Sequence, residues 1–180
     1  MNRWLTRGRS VFWALVASLV VLLLSTLGRL PLTVASHFGG SGAANGWSSR
    51  QAYAALLLSI GILLPLAIVG LVHAVTQRGP QLLNIPFKDY WRQAEHGAEA
   101  VRLVRAYVWW LACIMTAVAL ATHWFILKAN TLQPPRLATT GFGVVYIGML
   151  VVIALWIAGF YRLLRPSSLR PQSDSSPGML

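Results

Sequence analysis

Apolar residues gather in four long runs separated by polar segments, and the runs are continuous rather than alternating. The spans are about 11–28, 52–75, 106–127 and 141–161, and none contains Asp, Glu, Lys or Arg. At about 1.5 Å of rise per residue in a helix, each is long enough to cross a hydrocarbon layer of about 30 Å, the first only just. The pattern therefore predicts an all-α integral membrane protein with four transmembrane helices. An ordered loop at 31–50 joins helices 1 and 2, and a polar segment joins helices 2 and 3. The membrane domain is expected over 11–165, after a short N-terminal segment at 1–10. The 166–180 tail, rich in Ser and Pro, is expected to be disordered. The basic start of the chain before an apolar run is read as the beginning of a retained helix, because no clear A-x-A cleavage site follows it.

Composition supports the same class. Of 180 residues, 56% are hydrophobic and 11% charged, against about 25% charged in soluble domains. The net charge of +11 does not form a nucleic-acid-binding face; it falls between the apolar runs, so no nucleic acid partner is expected. Eleven of the basic residues lie before helix 1, between helices 2 and 3, or after helix 4, and four (Arg29, Arg50, Lys128, Arg136) lie in the other two segments. Positive charge is enriched on the cytoplasmic side of membrane proteins, which predicts both termini inside and the 31–50 loop outside. Trp13, Trp109 and Trp110 would sit near inner helix ends, and Tyr53 and Trp124 near outer ends. Pro65 would kink helix 2. The pairs Ala117/Ala121 and Ala154/Ala158 would allow close helix packing.

Chemistry within the runs is sparse. No carboxylate lies in any span, which argues against a proton pump or cation-coupled transporter. The single Cys113 is expected to be a packing residue. His37 and His123 with Asn45 and Asn130 make a poor zinc set, since zinc takes three or four strong ligands. No metal and no cofactor are expected, and a metal-dependent enzyme using His37 and His123 is the weakest of three readings. A hydrolase would need a general base, and a lone histidine here has no acidic partner to orient it.

The 31–50 segment holds the most concentrated polar detail. Pro31 can end helix 1, Asn45–Gly46 is a turn signal, and Ser48 or Ser49 can cap helix 2. Turning the chain does not require His37, Phe38, Trp47 or Arg50. The cytoplasmic segment is expected to carry a helix capped by Asp89, with Trp91, Ala94, Ala98 and Val101 on one face and a Glu99–Arg102 pair. Its Lys88, Arg92, Arg102 and Arg105 would lie near anionic lipid. Lys88, Tyr90, Trp91 and Arg92 form a candidate interface there, and His96 is expected in solvent.

The sequence LPLTVASHFGGSGAANGWSSR resembles the signature of a bacterial membrane family, domain of unknown function 1648. The matching positions are Pro31, His37, Phe38, Gly42, Asn45, Trp47 and Arg50. The family usually has Asn or Asp after the His–aromatic pair, where this chain has Gly39. NIPFKDYW at 84–91 and HWFILKAN at 123–130 are similar to further family segments. The family is related to SdpI-type immunity proteins, which protect a bacterium from its own toxin. The resemblance implies a four-helix protein of the bacterial inner membrane. With the residue reading it makes Pro31, His37, Phe38, Asn45, Trp47, Arg50 and His123 the candidate binding residues for an extracytoplasmic or membrane protein or peptide. The alternative is a non-catalytic accessory subunit of a larger membrane complex, as a homo- or hetero-oligomer.

Overall fold

The computed structural model describes residues 3–166, with side chains from residue 7; the tail expected to be disordered lies almost wholly outside them. The described chain is mostly helical, and four helices are long and apolar enough to cross a membrane, which makes it a multi-pass membrane protein in contact with the lipid bilayer. The first is α1 (Arg3–Thr26), closed by a short 3-10 turn at Leu27–Arg29. The second is a continuous helical stretch made of α2 (Arg50–Leu58), a π turn (Ser59–Leu63) and α3 (Leu64–Gln77). After a four-residue helix α4 (Lys88–Trp91) come α5 (Ala94–Ala129) and α6 (Thr139–Leu164). Four crossings bring both described chain ends to one face of the bundle.

The helices begin earlier than the apolar runs. α1 starts at Arg3 rather than near 11, and α5 at Ala94 rather than near 106. Hydropathy marks the depth of lipid, whereas a helix continues until its backbone meets a breaker. The 36 residues of α5 extend about 54 Å, far beyond a hydrocarbon layer.

The core is a column of three clusters. Leu19, Leu23, Leu30, Val34, Tyr53, Leu57, Ala119, Ile126 and Leu127 pack beneath the segment joining α1 to α2. Phe12, Val69, Val108, Ala112 and Cys113 fill the middle. Leu83, Trp91, Ala100, Leu103, Val104, Tyr107 and Leu164 close the other end. α1 and α3 pack along α5, while the apolar span of α6 buries none of its residues. Ala154 and Ala158 accordingly remain uncovered and do not serve as packing faces; α6 meets α5 instead through residues such as Tyr146, Trp156 and Gly159, the last against the Tyr107 hydroxyl.

Pro65 acts through a hydrogen bond it cannot make. Without an N–H it leaves the Gly61 carbonyl, one turn back, without its helical donor. The helix widens into the π turn, where Leu64 N–H reaches Ser59 O. Thr116 Oγ1 of α5 lies 2.8 Å from Gly61 O and 3.0 Å from Ala112 O of its own helix, so its one hydrogen, shared between the two carbonyls, supplies a donor to Gly61 from outside. Gly61 has no Cβ to obstruct this approach: one would stand 2.7 Å from Leu19 Cδ2 and 2.8 Å from Ala119 Cβ.

The segment before α5 differs from the expected helix. Asp89 lies in the first turn of α4 and caps nothing longer, because the chain breaks at Arg92–Gln93 before α5. The face turned inward is Gly97, Ala100, Leu103 and Val104; Ala94 and Ala98 are exposed. The break rotates α5 relative to α4, so helical spacing counted from Trp91 does not carry across it. Glu99 and Arg102 do pair, at 3.4 Å. His96 is half-buried, stacked on Tyr90 with ring centroids 4.0 Å apart.

Candidate functional site

Residues 33–49, within the ordered loop expected at 31–50, are strands rather than turns alone. β1 (Thr33–Phe38) and β2 (Ala44–Ser49) form an antiparallel hairpin, which amends the all-α reading. The chain reverses at Gly39–Ala43, where Gly42 N–H donates to Gly39 O at 2.9 Å and Gly39 N–H to Ala43 O at 2.9 Å. Gly42 has φ +80°, a conformation open to glycine. Asn45–Gly46, the expected turn, lies within β2. Gly46 sits opposite His37 where the register shifts, and a Cβ on it would be 2.9 Å from His37 Cβ.

The hairpin is fixed to the bundle at several points. Asn130, at the end of α5, extends the ladder by its side chain: its Oδ1 accepts from Ala35 N–H at 2.9 Å and its Nδ2 donates to Ala35 O at 3.0 Å. The tip meets the α5–α6 connection, where Leu137 N–H donates to Gly42 O at 2.8 Å and Ala43 bridges Arg136. At the base, Arg50 N–H donates to Leu32 O at 2.9 Å and Arg50 Nε to Pro31 O at 3.4 Å. Ser49 Oγ caps α2 by accepting from Ala52 N–H at 3.1 Å, as expected.

Within this frame His37 Nδ1 and Asn45 Oδ1 are 2.6 Å apart on the exposed surface. Trp47 is 56% exposed on the same hairpin. Phe38 turns inward and packs on the cluster beneath. Thus His37, Asn45 and Trp47 are presented, while Pro31, Phe38 and Arg50 build the support.

His123 belongs to a different environment. It is completely buried, with Nε2 2.8 Å from Thr26 Oγ1 and Nδ1 2.9 Å from Tyr53 Oη. Thr26 Oγ1 also lies 2.6 Å from Leu22 O, which can only accept. The threonine hydrogen goes to that carbonyl, so Thr26 accepts from Nε2–H and Tyr53 donates to Nδ1. This one side chain joins α1, α2 and α5. Tyr53 is 5% exposed and is an interior ligand of His123 rather than a member of an interfacial belt. Beside it a cavity of about 290 Å³ opens between α2, α5 and α6, lined by Leu56, Ile60 and Val118 and by Ser36, Tyr53, Thr122 and Tyr146.

Residues 13–63 match the family model described as Domain of unknown function (DUF1648). The DUF1648 match takes in most of α1, the whole hairpin, α2 and the π turn. It includes Thr26 and Tyr53 but ends before Thr116 and His123 of α5 and Asn130 just beyond it, which hold this unit in place. No curated protein and no solved structure matches the chain.

At the far end, Trp91 is buried and donates from Nε1 to Leu164 O at 2.8 Å. Arg92 reaches Gln81 O at 3.2 Å, and Tyr90 lies edge-on to Trp91. Of the proposed interface residues, Lys88 and Arg92 face solvent, Tyr90 is half-buried and Trp91 is an internal brace. Among the described residues, no three His, Cys, Asp or Glu side chains converge as a metal site. Sequence reasoning missed three residues: Thr26 and Thr116, because a threonine inside an apolar run carries no local signal of a partner, and Asn130 as a strand mimic. For the strands themselves a signal existed: Thr33–Val34, Phe38 and Trp47 flank a five-residue glycine-rich reversal.

Proposed function

We propose that this chain is a non-catalytic recognition protein of the bacterial inner membrane. Both termini are cytoplasmic, and the hairpin presents His37, Asn45 and Trp47 to an extracytoplasmic peptide or protein, in the manner of SdpI-type immunity proteins. The positive charge supports this orientation: eleven basic residues flank the termini-side segments and four the hairpin side. One observation carries the reading. The hairpin is braced to the bundle at its base, its flank and its tip, yet Trp47 and the His37–Asn45 pair are left outward. Rigid display of an aromatic and a hydrogen-bonding pair lowers the ordering cost of binding. A photo-reactive amino acid in place of Trp47 is expected to give a discrete cross-linked adduct in native membranes, and the same probe at Thr33 a weaker one. Equal labelling at both positions would exclude a binding face centred on Trp47.

A second reading, an accessory subunit, is favoured by α6. Its span buries no residue, whereas that of α5 is 39% buried. A partner helix seated on α6 would cover Val144, Ile147, Val151 and Leu155. Purification in mild detergent as a single species of this chain alone would count against it.

A further inference from the structure

Phe87 is the only non-glycine residue among those described with a positive φ, at φ 58° and ψ 37°. A bulky residue rarely takes this left-handed conformation, and such residues gather where a ligand is clamped. The backbone bend starts α4, with Phe87 O accepting from Tyr90 and Trp91 N–H at 3.0 and 3.2 Å. It also leaves the ring 40% exposed. Opposite stands the end of α6, and a groove of about 340 Å³ lies between them, lined by Phe87, Tyr161, Arg162 and Arg165. Tyr161 is 56% exposed. Both arginines are exposed, and among the described residues neither has a side-chain hydrogen bond or ion pair. Glu99 lies in an adjoining crevice that Arg165 also lines, and it is engaged by Arg102 at 3.4 Å. The C-terminus of α6 contributes a partial negative charge of about half a unit, which two guanidinium groups outweigh.

We propose that this groove is a binding site for an anionic phospholipid, its phosphate held by Arg162 and Arg165 and its first acyl carbons lying between Phe87 and Tyr161. Guanidinium groups match phosphate oxygens in geometry and charge, and exposed aromatic rings at the end of a membrane span sit at the level of lipid headgroups. The site stands independently of which side of the membrane this face occupies and of what the hairpin recognises. A lipid is favoured over a free anion because two of the four lining residues are aromatic and the groove lies at the end of the α6 span.

The test measures phosphatidylglycerol binding to the purified full chain in phosphatidylcholine nanodiscs, by native mass spectrometry and by lipid-dependent thermal stabilisation. The double variant Arg162→Gln/Arg165→Gln is expected to bind about 30-fold more weakly, from about fivefold per arginine. Arg9→Gln/Arg78→Gln removes the same charge from exposed positions outside the groove and should change binding by less than about twofold. Phe87→Gly retains the backbone, since glycine takes this conformation freely. It should lose affinity several-fold while remaining as stable as the native chain in phosphatidylcholine alone. Equal losses in the two arginine pairs would overturn the site in favour of diffuse attraction. Full competition by millimolar inorganic phosphate would overturn the lipid in favour of a small-anion site.

Discussion

His123 shows how one polar side chain organises an apolar interior. Its two ring nitrogens are used by hydroxyls from two other helices, so removing any member leaves a buried polar atom without a partner. Thr26→Val and Tyr53→Phe are each expected to destabilise the protein by about 0.6–1.7 kcal/mol, the range for hydrogen bonds between membrane helices. His123→Ala is expected to cost more than either alone. Unfolding in mixed detergent micelles measures all three, and the double variant Thr26→Val/Tyr53→Phe should depart from additivity because both changes act on one ring. A His123→Ala protein as stable as the native chain would show that the network is dispensable. In the sequence, His123 was visible as an ionisable group near a helix end, but its partners were not. They lie 97 and 70 residues away, and nothing local in Thr26 or Tyr53 distinguishes them from other polar residues in apolar runs.

At the scale of elements, the four spans were legible because membrane depth imposes a length on an apolar run. The register of the hairpin was not. Asn45–Gly46 has the composition of a turn but serves a register shift opposite His37, while the reversal occurs at Gly39–Ala43. Composition identifies which residues tolerate unusual backbone; the pairing partner decides where that tolerance is used. The lost hydrogen bond at Pro65 was legible, but the π turn that accommodates it and the Thr116 hydroxyl supplied by another helix were not. This pair makes a conditional prediction. Thr116→Val should cost about 1–3 kcal/mol, because it leaves the Gly61 carbonyl without a donor in a buried helix. Pro65→Ala restores a local N–H, so the same threonine change in that background should cost less than half as much. A double-mutant cycle by thermal denaturation reads the difference, and strict additivity would reject the proposed link.

For the molecule as a whole, the hairpin and the Phe87 groove mark opposite faces of the bundle. Their sidedness can be read with cysteines, because the native Cys113 is buried. Ser41→Cys, at the exposed hairpin tip, is expected to react with a membrane-impermeant maleimide in intact cells. Gln81→Cys, in the connection between α3 and α4, should react only after lysis. The reverse pattern would invert the proposed topology and remove the hairpin from any extracytoplasmic role. A display role also needs the hairpin to be an extension of the bundle rather than a pendant loop. Asn130 and Leu137 make that connection from the far side of the sequence, beyond the residues matching the DUF1648 model.

The attachment of α6 sets how this bundle can yield. Near the hairpin the helix is held by Leu137 on the tip and by Tyr146, whose hydroxyl meets Thr122. At the other end Trp91 grips Leu164 O, and Tyr107 holds Trp156 O at 2.7 Å. Between these fastenings Val151, Val152 and Leu155 are exposed, and a cavity of about 290 Å³ and an open groove of about 360 Å³ lie beside the α5–α6 contact. A rod pinned at both ends and slack in its middle cannot swing outward as a door does. Any yielding of α6 is then a bowing of its middle, which would widen the space beside α5 toward the surrounding lipid while both ends stay seated.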